Sequence, residues 1–83
     1  MLRFWYDGGE RVVEPYAFGV GDGGHPLLRA YQVSGYSPSR ERGWKLFRVD
    51  EIENLTVLES TFRSPRRGYM RNDPTMSQVY AEL

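Results

Sequence analysis

Apolar and polar positions alternate from the start of the chain, with Leu2, Phe4 and Tyr6 on one side and Arg3 and Trp5 on the other. That period of two belongs to a strand. Asp7-Gly8-Gly9 follows, residue types that accept positive φ, so the strand enters a tight turn. Arg11–Tyr16 reads as the returning strand, and Pro15, which has no N–H to give to a ladder, belongs at its end or edge. The run Gly19-Val20-Gly21-Asp22-Gly23-Gly24 predicts a flexible turn. Leu27–Val33 is the next strand, with Leu28 and Ala30 on one face and Leu27, Arg29 and Tyr31 on the other.

Between Ser34 and Gly43 the residues turn to Ser, Pro, Arg, Glu and Gly, which predicts an exposed, mobile loop. Trp44–Val49 reads as a fourth strand. Asp50–Asn54 fits a single helical turn with Asp50 as its N-cap. Leu55–Leu58 is a fifth strand, Phe62 is expected to close the structure, and 63–72 is a stretch bearing proline and arginine. Met76–Leu83 alternates Val79, Ala81 and Leu83 with Gln78, Tyr80 and Glu82, which favours a final strand over a short helix. The sum is an all-β chain: a small SH3/Sm-like β-barrel of five to six strands with one short helical turn. Residues 1–62 form the barrel, and 63–83 form an arginine-rich extension and C-terminal strand packing on the same domain.

Eighty-three residues suffice for one domain and its core, and too little surface could be buried for two. Nine glycines and five prolines punctuate the chain more often than a helical bundle tolerates, in keeping with strands and turns. No cysteine is present, so neither disulfides nor thiolate-bound metal can brace the fold, and a cytoplasmic location is expected. No segment reaches the roughly 20 apolar residues of a membrane span, and Met1–Tyr6 runs into a turn without a signal-peptide core. Asn54-Leu55-Thr56 matches a glycosylation acceptor, and without a secretory signal it is read as a chance match. Formal net charge is zero, yet residues 1–59 carry seven basic and nine acidic side chains against four and two in residues 60–83. Ten of the eleven basic residues are arginine, whose planar fork suits phosphate and aromatic stacking.

Phe4-x-Tyr6, Arg11-x-Val13-x-Pro15-Tyr16, Leu28-x-Ala30-Tyr31, Lys45-x-Phe47-Arg48-Val49-Asp50-x-Ile52, Leu55 and Phe62 follow one another in an order and spacing that resemble the WYL domain. The resemblance covers residues 2 to 62. It implies an Sm-like barrel, a type usually carried behind a winged helix-turn-helix in bacterial transcription regulators. It further implies a sensor of single-stranded nucleic acid or another small anionic ligand, linked to transcription regulation or defence. The tripeptide that names the family falls on Pro26-Leu27-Leu28, keeping only a leucine, and Glu51 stands where a basic residue is usual. With no helix-turn-helix ahead of the barrel, a stand-alone module is expected.

Arg11, Arg29, Lys45 and Arg48 match family positions that are usually basic or polar and lie on or beside three predicted strands. A barrel could gather them into a patch that holds phosphate through charge-assisted hydrogen bonds. Alternatively Glu14, Asp50 and Glu51 neutralise them as scattered surface pairs. Tyr6 and Tyr31 could stack bases beside that patch or simply pack the core or rim. Arg63, Arg66, Arg67 and Arg71, interleaved with Phe62 and Tyr69, form the one dense basic stretch. It either tracks a phosphate backbone or docks on the acidic first part of the chain.

Other chemistry finds little footing. His25, the single histidine, sits in Gly24-His25-Pro26 without further ligands for zinc and reads as a turn residue. Gly21–Gly24 lacks the lysine and helix of a phosphate loop. Ser34, Ser37, Ser39, Ser60, Ser64 and Ser77 have only His25 to serve as a base, which disfavours acyl transfer. Asp50, Glu51 and Glu53 are read as a capped, solvated turn and not as a divalent-cation site. The expectation is therefore a non-enzymatic module without cofactor or metal. Its expected ligand is single-stranded DNA, RNA or a nucleotide-like anion, and no membrane is expected as partner. The alternative is a protein–protein adaptor or a homo-oligomer assembled through sheet edges.

Overall fold

The computed structural model describes residues 1–38, 43–63 and 65–83. The described residues form six strands, β1 (Leu2–Tyr6), β2 (Gly9–Val20), β3 (Pro26–Gly35), β4 (Gly43–Arg48), β5 (Glu53–Val57) and β6 (Gln78–Glu82), with a 3-10 turn at Val49–Glu51 between β4 and β5. All pairings are antiparallel. The sheet runs β4-β3-β2-β1-β5, and β6 pairs β2 beside that path. It is open: among the described residues no ladder joins β4 to β5. No helix among them is long and apolar enough to cross a membrane.

β2 organises this topology because it is long enough to have two different neighbours on one edge. Its first half pairs β1, Leu2 opposite Val13 through Tyr6 opposite Gly9, and its last residues, Ala17 to Val20, pair β6. β3 covers the other edge, with one extra residue in β3 at Val33 and one in β2 at Tyr16 where the register shifts. The strand expected to stop at Tyr16 therefore continues to Val20. Pro15 sits mid-strand because it falls between the stretches that β1 and β6 occupy, where one edge of β2 needs no ladder donor. Gly19 belongs to the strand and not to the expected turn, since a Cβ there would collide with the Gln78 carbonyl of β6.

The expected two-faced pattern of β3 is present. Leu28 and Ala30 join Phe4, Val13 and Phe47 in one core, flanked by Leu2, Tyr6, Val49 and Ile52. On the second face Leu27 packs with Ala17 and Met76 against Val79. Tyr16 is also buried and touches the rings of Trp44, Phe62 and Tyr69 at 4.7, 5.3 and 5.0 Å between centroids. Phe62 thus packs on a face and completes no ladder.

Two further expectations change. The turn starts at Val49 with Arg48 in the N-cap position and no side-chain cap, so Asp50 lies inside its first turn and uses its carboxylate on Arg48. The fifth strand begins at Glu53, and Leu58 lies just beyond it. The final segment is a strand, as its alternation favoured. β3 extends through Ser34 and Gly35, and the rest of the loop expected to Gly43 lies partly outside the described residues, as do Ser39 and Ser64.

Candidate functional site

Strand register divides the expected cationic patch between the two faces. Lys45 lies opposite Ala30 and Arg11 opposite Phe4, which puts both with the first core, where Tyr6 also packs. Arg29 lies opposite Leu46, Tyr31 opposite Trp44 and Arg48 opposite Leu27, on the second face.

On that second face the arginines meet carboxylates. Arg29 Nε donates to Asp73 Oδ2 at 2.6 Å, and its Nη2 reaches Thr75 Oγ1 at 3.3 Å. Asp73 also accepts the Thr75 N–H and hydroxyl at 3.0 and 2.7 Å. Burial pushes its carboxyl up, but the bonds from Arg29 and Thr75, with the Arg29 charge, outweigh burial and hold it at about 2. Arg48 spreads its guanidinium over Asp50 at 3.0 Å and Glu51 at 3.3 Å, and its Nη2 lies 2.9 Å from His25 Nδ1. These half-exposed pairs are worth under about 1 kcal/mol each. Lys45 Nζ reaches Ser37 Oγ at 3.2 Å.

The basic stretch behaves unevenly. Arg66 forms a two-pronged pair with the buried Glu14, Nε to Oε1 at 2.6 Å and Nη2 to Oε2 at 3.1 Å, and its guanidinium carbon lies 4.2 Å from the centroid of the Tyr31 ring. The hydrogen bond to Glu14 raises the arginine's pKa further. Arg71 pairs with Glu82 at 3.3 Å. Arg67 and Arg63 are exposed, and the Arg67 carbonyl accepts from Trp44 Nε1 at 2.9 Å. Of the expected aromatic platforms, Tyr31 is covered by Arg66. Tyr6 packs its ring 4.9 Å from Phe47 and accepts the Arg48 N–H at its hydroxyl.

Arg11 stands apart. It is 3% exposed, and no carboxylate pairs with it among the described residues. Nη1 donates to Gln32 Oε1 at 3.3 Å and Nη2 to the Tyr6 carbonyl at 3.0 Å, while the buried Nε has no acceptor. Its carbon lies 5.5 Å from the Tyr6 and Tyr36 centroids and 5.7 Å from that of Phe47. Gln32 is fully buried and donates Nε2 to the carbonyls of Ser34 and Tyr36, so its oxygen is fixed toward Arg11. Taking a cation out of water costs several kcal/mol. Three ring faces, each worth up to about 2 kcal/mol when desolvated, offset part of this, and the neutral acceptors add less. What remains is a buried positive charge with a spare donor, an arrangement suited to an anion.

Gln32 and Tyr36 were not legible as parts of this site. The sequence singles out Arg11, but as one member of a patch with Arg29, Lys45 and Arg48; along β2 it shares the inward phase of Val13, and both are buried. No family model, no curated protein and no solved structure matches the chain.

Proposed function

We propose that this chain is a non-enzymatic WYL-like binding module, an Sm/SH3-like barrel left open between β4 and β5, which takes an anionic group at Arg11. The ligand class is single-stranded nucleic acid or a nucleotide-like anion, and the module reports occupancy to a partner in regulation or defence. Support comes from one observation above the others: Arg11 is buried, with no carboxylate partner among the described residues and one donor unused. Arg29 and Arg66, by contrast, each have a carboxylate at 2.6 Å and contribute little to anion binding. Tyr36, 47% exposed, lies over the Arg11 guanidinium, so rotating that one side chain is a short route to it.

A phosphate or carboxylate oxygen at Arg11 would form charge-assisted hydrogen bonds of the kind that neutral Gln32 and the Tyr6 carbonyl cannot supply. The exposed Arg63 and Arg67 add longer-range attraction for a polyanion. The test is a titration of the purified chain with a short single-stranded DNA, a short RNA and ATP at low and high salt. Saturable binding that tightens as salt falls is the expected result. No saturable binding at low salt overturns the reading.

A further inference from the structure

The segment after Phe62 does not merely pack against the sheet; its backbone is read by side chains. Tyr16 Oη accepts the Arg66 N–H at 3.0 Å, and Trp44 Nε1 donates to the Arg67 carbonyl at 2.9 Å. Between these two contacts the Arg66 guanidinium enters a slot made by the Glu14 carboxylate, 4% exposed, and the Tyr31 ring. Gly68 follows so close to the indole that a Cβ there would lie 2.8 Å from Trp44 Nε1. Tyr69 then stacks on Trp44 at 6.2 Å with ring planes 22° apart. Aromatic walls, one indole donor for a carbonyl and a buried acid for an arginine are the parts with which a domain recognises an extended peptide.

We infer that the Glu14, Tyr16, Tyr31 and Trp44 surface is a peptide-binding groove for an arginine-bearing extended segment of a partner protein, occupied here by the chain's own residues 65–69. Three features favour this over simple core packing. Glu14 is a buried carboxylate whose charged partner is an arginine half exposed to solvent, so one arginine can be exchanged there for another from the solvent side. The anchors meet two backbone groups and one side chain, a pattern that a segment with arginine at the central position and glycine two residues later can reproduce. Finally, residues 65–69 belong to no strand, so their release leaves the six-stranded ladder unbroken, while Asp73 and Met76 keep the later residues in place.

A tethered segment acts at an effective concentration near millimolar, so in the resting chain a free peptide must compete against that value. Weakening the internal segment should expose the groove. The probe is a dye-labelled peptide with the sequence of residues 65–71, followed by fluorescence anisotropy against the full chain. Arg66→Ala should bind it at least tenfold more tightly than the wild type, because the internal competitor has lost its anchor while Glu14 remains. The Glu14→Gln/Arg66→Ala double variant should lose that gain. Should Arg66→Ala melt too low to use, Arg66→Lys, which keeps the charge and loses the two-pronged contact, must show the same ordering at smaller amplitude. Equal affinity for wild type and both Arg66 variants, or equal affinity with and without the Glu14 carboxylate, overturns the inference.

Discussion

Arg29 on β3 holds Asp73 at 2.6 Å across 44 residues of sequence, and so ties the C-terminal segment to the middle of the sheet. Asp73 is 6% exposed and fully engaged: besides Arg29 it binds the N–H and hydroxyl of Thr75, and its carbonyl accepts the Met76 N–H. The turn it forms delivers Met76 to the second core and Val79 to its edge.

Asp73→Asn should therefore lower stability by about 2–3 kcal/mol, since a hydrogen-bonded charge is removed and a partly buried guanidinium is left facing an amide. Arg29→Ala should cost a similar amount. Because the two side chains act on each other, the double variant should cost clearly less than the sum of the single ones. Urea denaturation of all four proteins measures this, and additive losses would contradict the coupling.

The same carboxylate makes the chain sensitive to acid. Its pKa lies at about 2 in the folded state against an ordinary 3.8, so the unfolded chain takes up the proton first as pH falls. The associated stability, roughly 2 kcal/mol, is fully present above pH 4 and is lost as pH falls through about 2. Melting temperature followed from pH 5 to pH 2 should fall more steeply for the wild type than for Asp73→Asn, which has no such proton to take up. Parallel curves would remove Asp73 as the source.

Strand identities were legible because they rest on local alternation. Leu28 and Ala30 against Leu27 and Arg29 is a pattern that only a two-faced strand satisfies, and Val79 to Leu83 repeats it. The extent of β2 was not legible: Pro15 signals an interruption, and only the paired positions of β1 and β6, distant in sequence, reveal that the interruption falls on an unoccupied stretch of edge. The cations divide in the same way. The inward phase of Arg11 follows from its neighbour Val13, whereas the partners of Arg29 and Arg66 lie 44 and 52 residues away, beyond any local rule. Asp50 failed as a cap because the N-cap position of the 3-10 turn falls two residues earlier, on Arg48, which also claims the carboxylate.

Phe47 is 1% exposed, with the rings of Phe4 and Tyr6 edge-on at 5.0 and 4.9 Å. Phe47→Ala should cost about 3–5 kcal/mol by leaving a cavity beside the Phe4 and Tyr6 rings. Thermal or urea unfolding checks it, and a variant that melts like the wild type would place the core elsewhere.

Arg11 separates binding from stability more sharply than any other residue. If its guanidinium served only to hold the structure, replacing it would leave a defect, and Arg11→Met would unfold more easily in proportion to the two hydrogen bonds lost. If it is held buried for an anion, the resting protein bears an uncompensated charge. An apolar side chain of similar length should then be tolerated among Tyr6, Tyr36 and Phe47 and relieve that burden. Arg11→Met should accordingly melt within a few degrees of the wild type or above it, yet lose at least tenfold in affinity for a single-stranded oligonucleotide or ATP at low salt. Gln32→Leu, which removes the neutral acceptor and leaves the cation, makes the converse comparison and should destabilise by about 1–3 kcal/mol through an unsatisfied buried donor. A stability loss at Arg11→Met as large as that at Gln32→Leu, with ligand affinity unchanged, would assign the guanidinium to the architecture alone.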